Sequence, residues 1–201
     1  MFRLYQPEGL ILHGTLEQLL DRRPGGRRQA LHPHQVRSVT QDLAASHRPL
    51  HTYQQVLERS SHGNYLPASD LMRSPVATIR HSGTIRQAWQ EMAQRNVAQI
   101  PVLADDLRPI GMLTWASLLK FVVFTGDQIR FVKGVLVRDI MWPELIAADE
   151  TTDARRIVSM MVAFNVNAVP VATAHDRLIG IISRSDILNL LAETPAFDLR
   201  V

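Results

Sequence analysis

The sequence predicts a mixed α+β protein in which a strand–helix–strand–strand–helix unit occurs twice, packed sheet to sheet about a pseudo-twofold axis. Three observations predict it. Short motifs recur at one fixed spacing, and the apolar period switches from two to about 3.6 within each copy. The chain also has no cysteine, so neither disulfides nor thiolate–metal sites can stand in for a packed core.

The repeat is the strongest of these. Asp70-Leu71-Met72 recurs as Asp139-Ile140-Met141, Asn96-Val97 as Asn165-Val166, Pro101-Val102 as Pro170-Val171, and Ile110-Gly111 as Ile179-Gly180. Every pair is separated by 69 positions, with no insertion or deletion. The expected organisation is a leader over 1–65, a first motif over 66–126, a linker over 127–134, a second motif over 135–193 and a tail over 194–201.

Each copy reads alike. Apolar strands are expected at 76–79 and 145–148. Helices follow, with apolar residues at i, i+3, i+4, i+7 and i+8: Ile85, Ala88, Trp89, Met92 and Ala93, then Ala154, Ile157, Val158, Met161 and Val162. Ser82 or Thr84, and Thr152 or Asp153, suit their N-caps. Strands at 99–103 and 168–173, turns at Asp105-Asp106 and His175-Asp176, and strands at 110–113 and 178–182 lead into helices at 115–124 and 184–191. One such unit has a marginal core, which explains why two occur together.

The leader is expected to be mainly helical or irregular, with short helices at 16–21, 36–43 and 53–58. It holds six of the eight histidines: His13, His32, His34, His47, His51 and His62. No carboxylate or cysteine cluster completes a metal site there, and none is expected. The formal charge of +3 includes a basic run, Arg22-Arg23-Pro24-Gly25-Gly26-Arg27-Arg28, that no aromatic residue interleaves. A nucleic-acid partner is therefore a weak third reading. No signal pattern or spanning segment opens the chain, so a cytoplasmic protein without membrane insertion is expected.

The chemistry lies where the last strand of the second copy enters its helix, at Gly180-Ile181-Ile182-Ser183-Arg184-Ser185-Asp186. A helix N-terminus offers backbone N–H groups and the positive end of a dipole to a phosphate. Ser183 and Ser185 add hydroxyls, and Arg184 a cation. Asp186, one turn deeper, can accept both hydroxyls of a ribose diol. The same four-residue spacing also fits a capping box in which Ser183 and Asp186 satisfy one another's backbone. There is no activated nucleophile, paired-carboxylate site or Gly-rich lysine loop, so catalysis is not expected.

Together, the duplicated Asp-hydrophobic-Met opening, the Asn-Val-x-x-hydrophobic-Pro-Val strand and the Gly-x-x-Ser-x-x-Asp junction resemble the CBS-pair (Bateman module) family over about 66–193. The resemblance implies a regulatory module that senses AMP, ADP, ATP or S-adenosylmethionine, often as a homodimer, and controls a client protein. It implies that Ser183 meets phosphate, that Asp186 meets ribose and that Ile181 and Ile182 floor the pocket. Adenine would rest on Met72, Pro75, Val76, Ala77 and Thr78, and on Val97 and Ala98. The first copy departs from the pattern, with Thr114 at the hydroxyl position but Ser117 in place of the aspartate. A weaker or empty second site is thus expected around Thr114, Ser117, Ile146, Val166 and Asn167. The competing reading is a structural dimerisation module with a decayed pocket.

Overall fold

The computed structural model describes residues 1–22, 65–126 and 128–193. The first motif contains helix α2 (Ala68–Leu71), strand β3 (Ile79–Arg80), helix α3 (Ile85–Gln94), strands β4 (Gln99–Leu103) and β5 (Pro109–Thr114) and helix α4 (Trp115–Leu118). The second contains α5 (Val137–Ile140), β8 (Leu145–Asp149), α6 (Ala154–Phe164), β9 (Ala168–Ala172), β10 (Leu178–Ser183) and α7 (Arg184–Glu193). In both, the first strand runs parallel to the second and the second antiparallel to the third.

The repeated motifs have physical causes. Asn96 and Asn165 follow the two long helices with φ of 50° and 52°, the left-handed region that asparagine tolerates. The amides of Val97 and Val166 then reach back to the carbonyls of Met92 and Met161, both at 3.0 Å. The prolines sit in β4 and β9, but the parallel ladders start one residue later, at Val102 and Val171, so the missing N–H breaks no bond there. Gly111 and Gly180 are close-approach positions. A Cβ on Gly111 would lie 2.2 Å from the Trp142 carbonyl oxygen, and one on Gly180 would lie 2.3 Å from Met72 Sδ. The Asp-hydrophobic-Met and Ile-Gly motifs are therefore two halves of one contact.

That contact crosses between motifs, because each motif's opening turn packs on the other. Arg73 pairs with Ile181 and, 69 positions on and back, Trp142 pairs with Met112. Pro67 pairs with Asp153, and Leu136 with Thr84. Ala68 and Leu71 belong to the second motif's core with Ile157, Met160, Val169 and Ile182; Val137 and Ile140 belong to the first motif's core with Ile85, Met92, Ile100 and Leu113. A third cluster, of Tyr5, Met112, Leu145, Ala147 and Ala172, lies between the sheets.

Three expectations are corrected. The leader does not open as helix or irregular chain. Strands β1 (Phe2–Gln6) and β2 (Gly9–Gly14) form a hairpin that adds to the second motif's sheet, in the order β10-β9-β8-β1-β2. The helix expected at 16–21 follows as α1 (Leu16–Asp21), with Thr15 and Gln18 forming a capping box. The helix expected to reach residue 124 stops at Leu118, passes through a 3₁₀ turn (Leu119–Phe121) and becomes strand β6 (Val122–Thr125), paired with β7 (Gln128–Phe131). The β-branched Val122-Val123 pair favours a strand there; Val122 joins the first motif's core, and Phe124 and Phe131 stand edge-on to Trp89. The stretch expected to be linker is thus partly this hairpin. The helices expected at 36–43 and 53–58, the Arg27-Arg28 run, and His32, His34, His47, His51 and His62 lie outside the described residues. Among the described residues, no helix is long and apolar enough to cross a membrane.

Candidate functional site

The sequence-derived site falls where β10 ends and α7 begins. Ser183 and Asp186 form a reciprocal cap: the Ser183 amide donates to Asp186 Oδ2 at 2.8 Å, the Ser183 hydroxyl donates to the same oxygen, and the Asp186 amide donates to Ser183 Oγ at 3.4 Å. Asp186 is only 6% exposed. Burial pushes its carboxyl pKa up, but the Ser183 hydroxyl and amide and a neighbouring guanidinium outweigh this and hold it below the usual carboxylate value.

That guanidinium is Arg73, which the sequence reading did not select. Its Nε donates to Asp186 Oδ1 across the two motifs. The pairing follows from the backbone: the Arg73 amide donates to the Ile181 carbonyl at 2.9 Å, and the Ile181 amide donates to the Arg73 carbonyl at 3.1 Å. The loop that begins at Met72 is thereby fixed beside the strand leading to Ser183. This loop holds a cis peptide bond between Ser74 and Pro75. Pro75 is exposed and Val76, Ala77 and Thr78 are half-buried, with Ala77 against the first motif's core.

The structure rearranges other expectations. Three of the junction amides are engaged: those of Ser183 and Asp186 serve the cap, and that of Arg184 donates to the Asn167 carbonyl at 3.0 Å. The Arg184 guanidinium reaches Asn165 Oδ1 at 3.4 Å, while Ser185 is exposed. Ile182 is wholly buried in the second motif's core and forms no floor; Ile181, on the other strand face, is half-buried.

Val97 and Ala98 close on the first copy. The Ala98 carbonyl accepts from the Trp115 amide at 3.3 Å, and the Val97 carbonyl accepts from Trp115 Nε1 at 2.8 Å. Conversely, Asn167 lies at Arg184 rather than at Thr114, and Val166 packs on the second motif's core. The cause is strand pairing, since Gln99 opposes Thr114 and Ala168 opposes Ser183, so each entry segment meets its own motif's junction. Ile146 packs beside the second core and opposes Leu4.

The first junction differs in chemistry. Thr114 Oγ1 lies 3.2 Å from Ser117 Oγ and accepts from the Ser117 amide at 3.2 Å, which caps α4 without a charge. Trp115 stands edge-on to Trp89 with centroids 4.9 Å apart. Trp142, at the position matching Arg73, joins the cluster of Tyr5 and Met112. Between the copies, Arg73, Arg184 and Asp186 thus become Trp142, Trp115 and Ser117. Among the described residues, no group of three or more histidines, cysteines or carboxylates could hold a metal ion.

A duplicated three-stranded unit with exchanged openings and a Ser-x-x-Asp junction facing the partner's loop defines a CBS domain pair. The CBS domain family model matches residues 68–124 and 137–193, more than half of the sequence, and the chain belongs to that family. The domain is a regulatory module and not a catalytic one. Homoserine O-acetyltransferase of Methanohalobium evestigatum is 21% identical over 178 residues; the match covers 80% of this chain and 35% of that protein's length. The CBS domain pair of protein MJ0100, solved with 5′-methylthioadenosine and S-adenosyl-L-methionine, shares the fold at a TM-score of 0.55 and 20% identity, covering 64% of this chain and 98% of that one. CBSX2, solved with AMP, does so at 0.54 and 20% identity, covering 65% and 98%.

Proposed function

We propose that the cleft between Ser183–Asp186 and the loop at 72–78 binds an adenosine-containing ligand, and that its occupancy regulates a client protein. The observation that carries this is Asp186, a buried, ionised carboxylate whose partners come from both motifs. A ribose diol has the hydrogen-bond geometry to replace Arg73 on it, and doing so alters a bond that joins the two motifs. The solved CBS pairs holding AMP, 5′-methylthioadenosine and S-adenosylmethionine support the ligand class. In this reading AMP, ADP or ATP reports energy state to a partner in the cytoplasm, the functional motifs span 66–126 and 135–193, and two chains associate through them. Ser183 faces phosphate, and the half-buried Ile181, Met72 and Val76 supply the apolar contacts.

A second reading is favoured by the same cap. Asp186 is already satisfied by Ser183 and Arg73, so the pair could serve as a dimerisation scaffold with no ligand. A thermal-shift screen with AMP, ADP, ATP, S-adenosylmethionine and NAD separates them. Stabilisation by millimolar adenosine ligands supports sensing; a flat melting temperature across the series supports the scaffold.

A further inference from the structure

We propose that Arg73 makes this cleft selective for adenosine ligands that carry a phosphate, by releasing Asp186 when the ligand's ribose takes that carboxylate. The inference rests on the reading of the cleft as an adenosine site.

Three observations lead to it. First, Arg73 is tethered at the cleft by its main chain, which is bonded to Ile181 in both directions, while its side chain is 68% exposed and reaches Asp186 from the solvent side. Second, the amides of Ser183, Arg184 and Asp186 are engaged within the protein, which leaves the exposed Ser185 and the Arg184 guanidinium at the helix start, and Arg73 across the cleft, as the groups that can meet a phosphate. Third, cation and anion vary together between the copies. Where Asp186 becomes Ser117, Arg73 becomes Trp142, so the guanidinium accompanies the ribose-type carboxylate.

The electrostatics then discriminate among ligands. In the closed arrangement, the charge of Asp186 is balanced by Arg73. A ribose that occupies Asp186 is neutral and leaves Arg73 without its partner beside the bound ligand. A phosphate restores a charge-assisted, bidentate pair. Adenosine restores nothing, and the sulfonium of S-adenosylmethionine adds a like charge.

The test is calorimetric titration of the whole chain, as wild type, Arg73→Gln and Arg73→Lys, with adenosine, AMP and S-adenosylmethionine. The wild type is expected to bind AMP about 10–100-fold more tightly than either of the others, the range of one charge-assisted hydrogen bond. Arg73→Gln is expected to bring AMP and adenosine within about threefold of one another while adenosine binds as well as before or better. Arg73→Lys is expected to keep most of the preference. Because the anchoring bonds of Arg73 are main-chain bonds, either substitution leaves them in place, and adenosine binding reports the intact cleft. Equal wild-type affinities for adenosine and AMP, or an unchanged ratio in Arg73→Gln, would overturn the proposal and leave the adenosine site standing. Failure of all three ligands to bind the wild type would remove both.

Discussion

Arg3 Nε and Asp149 Oδ1 lie 2.7 Å apart, joining the first strand of the chain to the last residue of β8. Arg3 is 5% exposed and also donates to Asp176 Oδ1 at 2.7 Å, an oxygen that accepts from the Tyr5 hydroxyl at the same distance. His13 Nε2 adds a contact to Asp149 Oδ2 at 2.8 Å. The N-terminal hairpin is thus part of the second motif's sheet, held by a buried guanidinium between two carboxylates.

Arg3→Ala is expected to destabilise the fold by about 2–4 kcal/mol, somewhat less than a fully buried pair because the Asp176 side chain is 30% exposed. Tyr5→Phe, which keeps the ring between the sheets, is expected to cost about 0.5–1.5 kcal/mol. Urea denaturation measures both. An Arg3→Ala loss no larger than that of Tyr5→Phe would mean the ion pairs do not hold the hairpin.

Acid sensitivity follows from Asp149, Asp153 and Asp186. For Asp149 and Asp186, burial raises the carboxyl pKa, but hydrogen bonds and cations prevail and depress it; for Asp153 the Arg155 bond is the main cause of the lowering. With folded values below the unfolded ones, the unfolded chain binds more protons in the window between them. Stability is therefore complete above the ordinary carboxylate range and falls as pH drops through it toward the folded values. Melting curves from pH 7 down to 3 check this. Removing the Asp186 contribution with Asp186→Asn should flatten the acid limb, and an unchanged limb would exclude it.

Gly111→Ala places a Cβ against a main-chain oxygen, whereas Gly180→Ala places one against the side chain of Met72. The first is expected to be the more destabilising, by roughly 1–3 kcal/mol, since a backbone bridge must move. A Met72→Ala substitution, which removes Sδ and Cγ but keeps a Cβ 2.9 Å away, should relieve part of the Gly180→Ala cost in a double-mutant cycle. Zero coupling between the two would show that they do not meet.

Ligand stoichiometry should be one per chain. The first junction lacks both Asp186 and Arg73 equivalents, and Trp142, at the Arg73 position, packs in the cluster of Tyr5 and Met112. Native mass spectrometry across an AMP titration is expected to saturate at one nucleotide, and two equally filled sites would contradict the asymmetry.

Much of this was readable before any coordinates. The fixed 69-residue offset announces the duplication, and of the cap candidates Ser82 or Thr84 and Thr152 or Asp153, the structure uses Thr84 and Asp153. The exchange of openings was not readable, because Asp70-Leu71-Met72 looks the same whether it packs on its own motif or on the other. Nor was it readable which junction Val97, Ala98, Val166 and Asn167 bond to, since strand pairing sets that. The N-terminal hairpin did leave a signal, a Pro7-Glu8-Gly9 turn between two strand-like runs. Arg73 also left one: it differs from its repeat partner Trp142 at the same time as Asp186 differs from Ser117. The signal lies in the charge of matched positions rather than in their identity.

The proposed adenosine site rests on Asp186 as its anchor. Isothermal titration of AMP into the wild type and Asp186→Ala tests it most directly, with circular dichroism establishing that the variant is folded. Saturable binding to the wild type is expected, with a loss of at least about tenfold in affinity in the variant. Undiminished binding by a folded Asp186→Ala chain would contradict it.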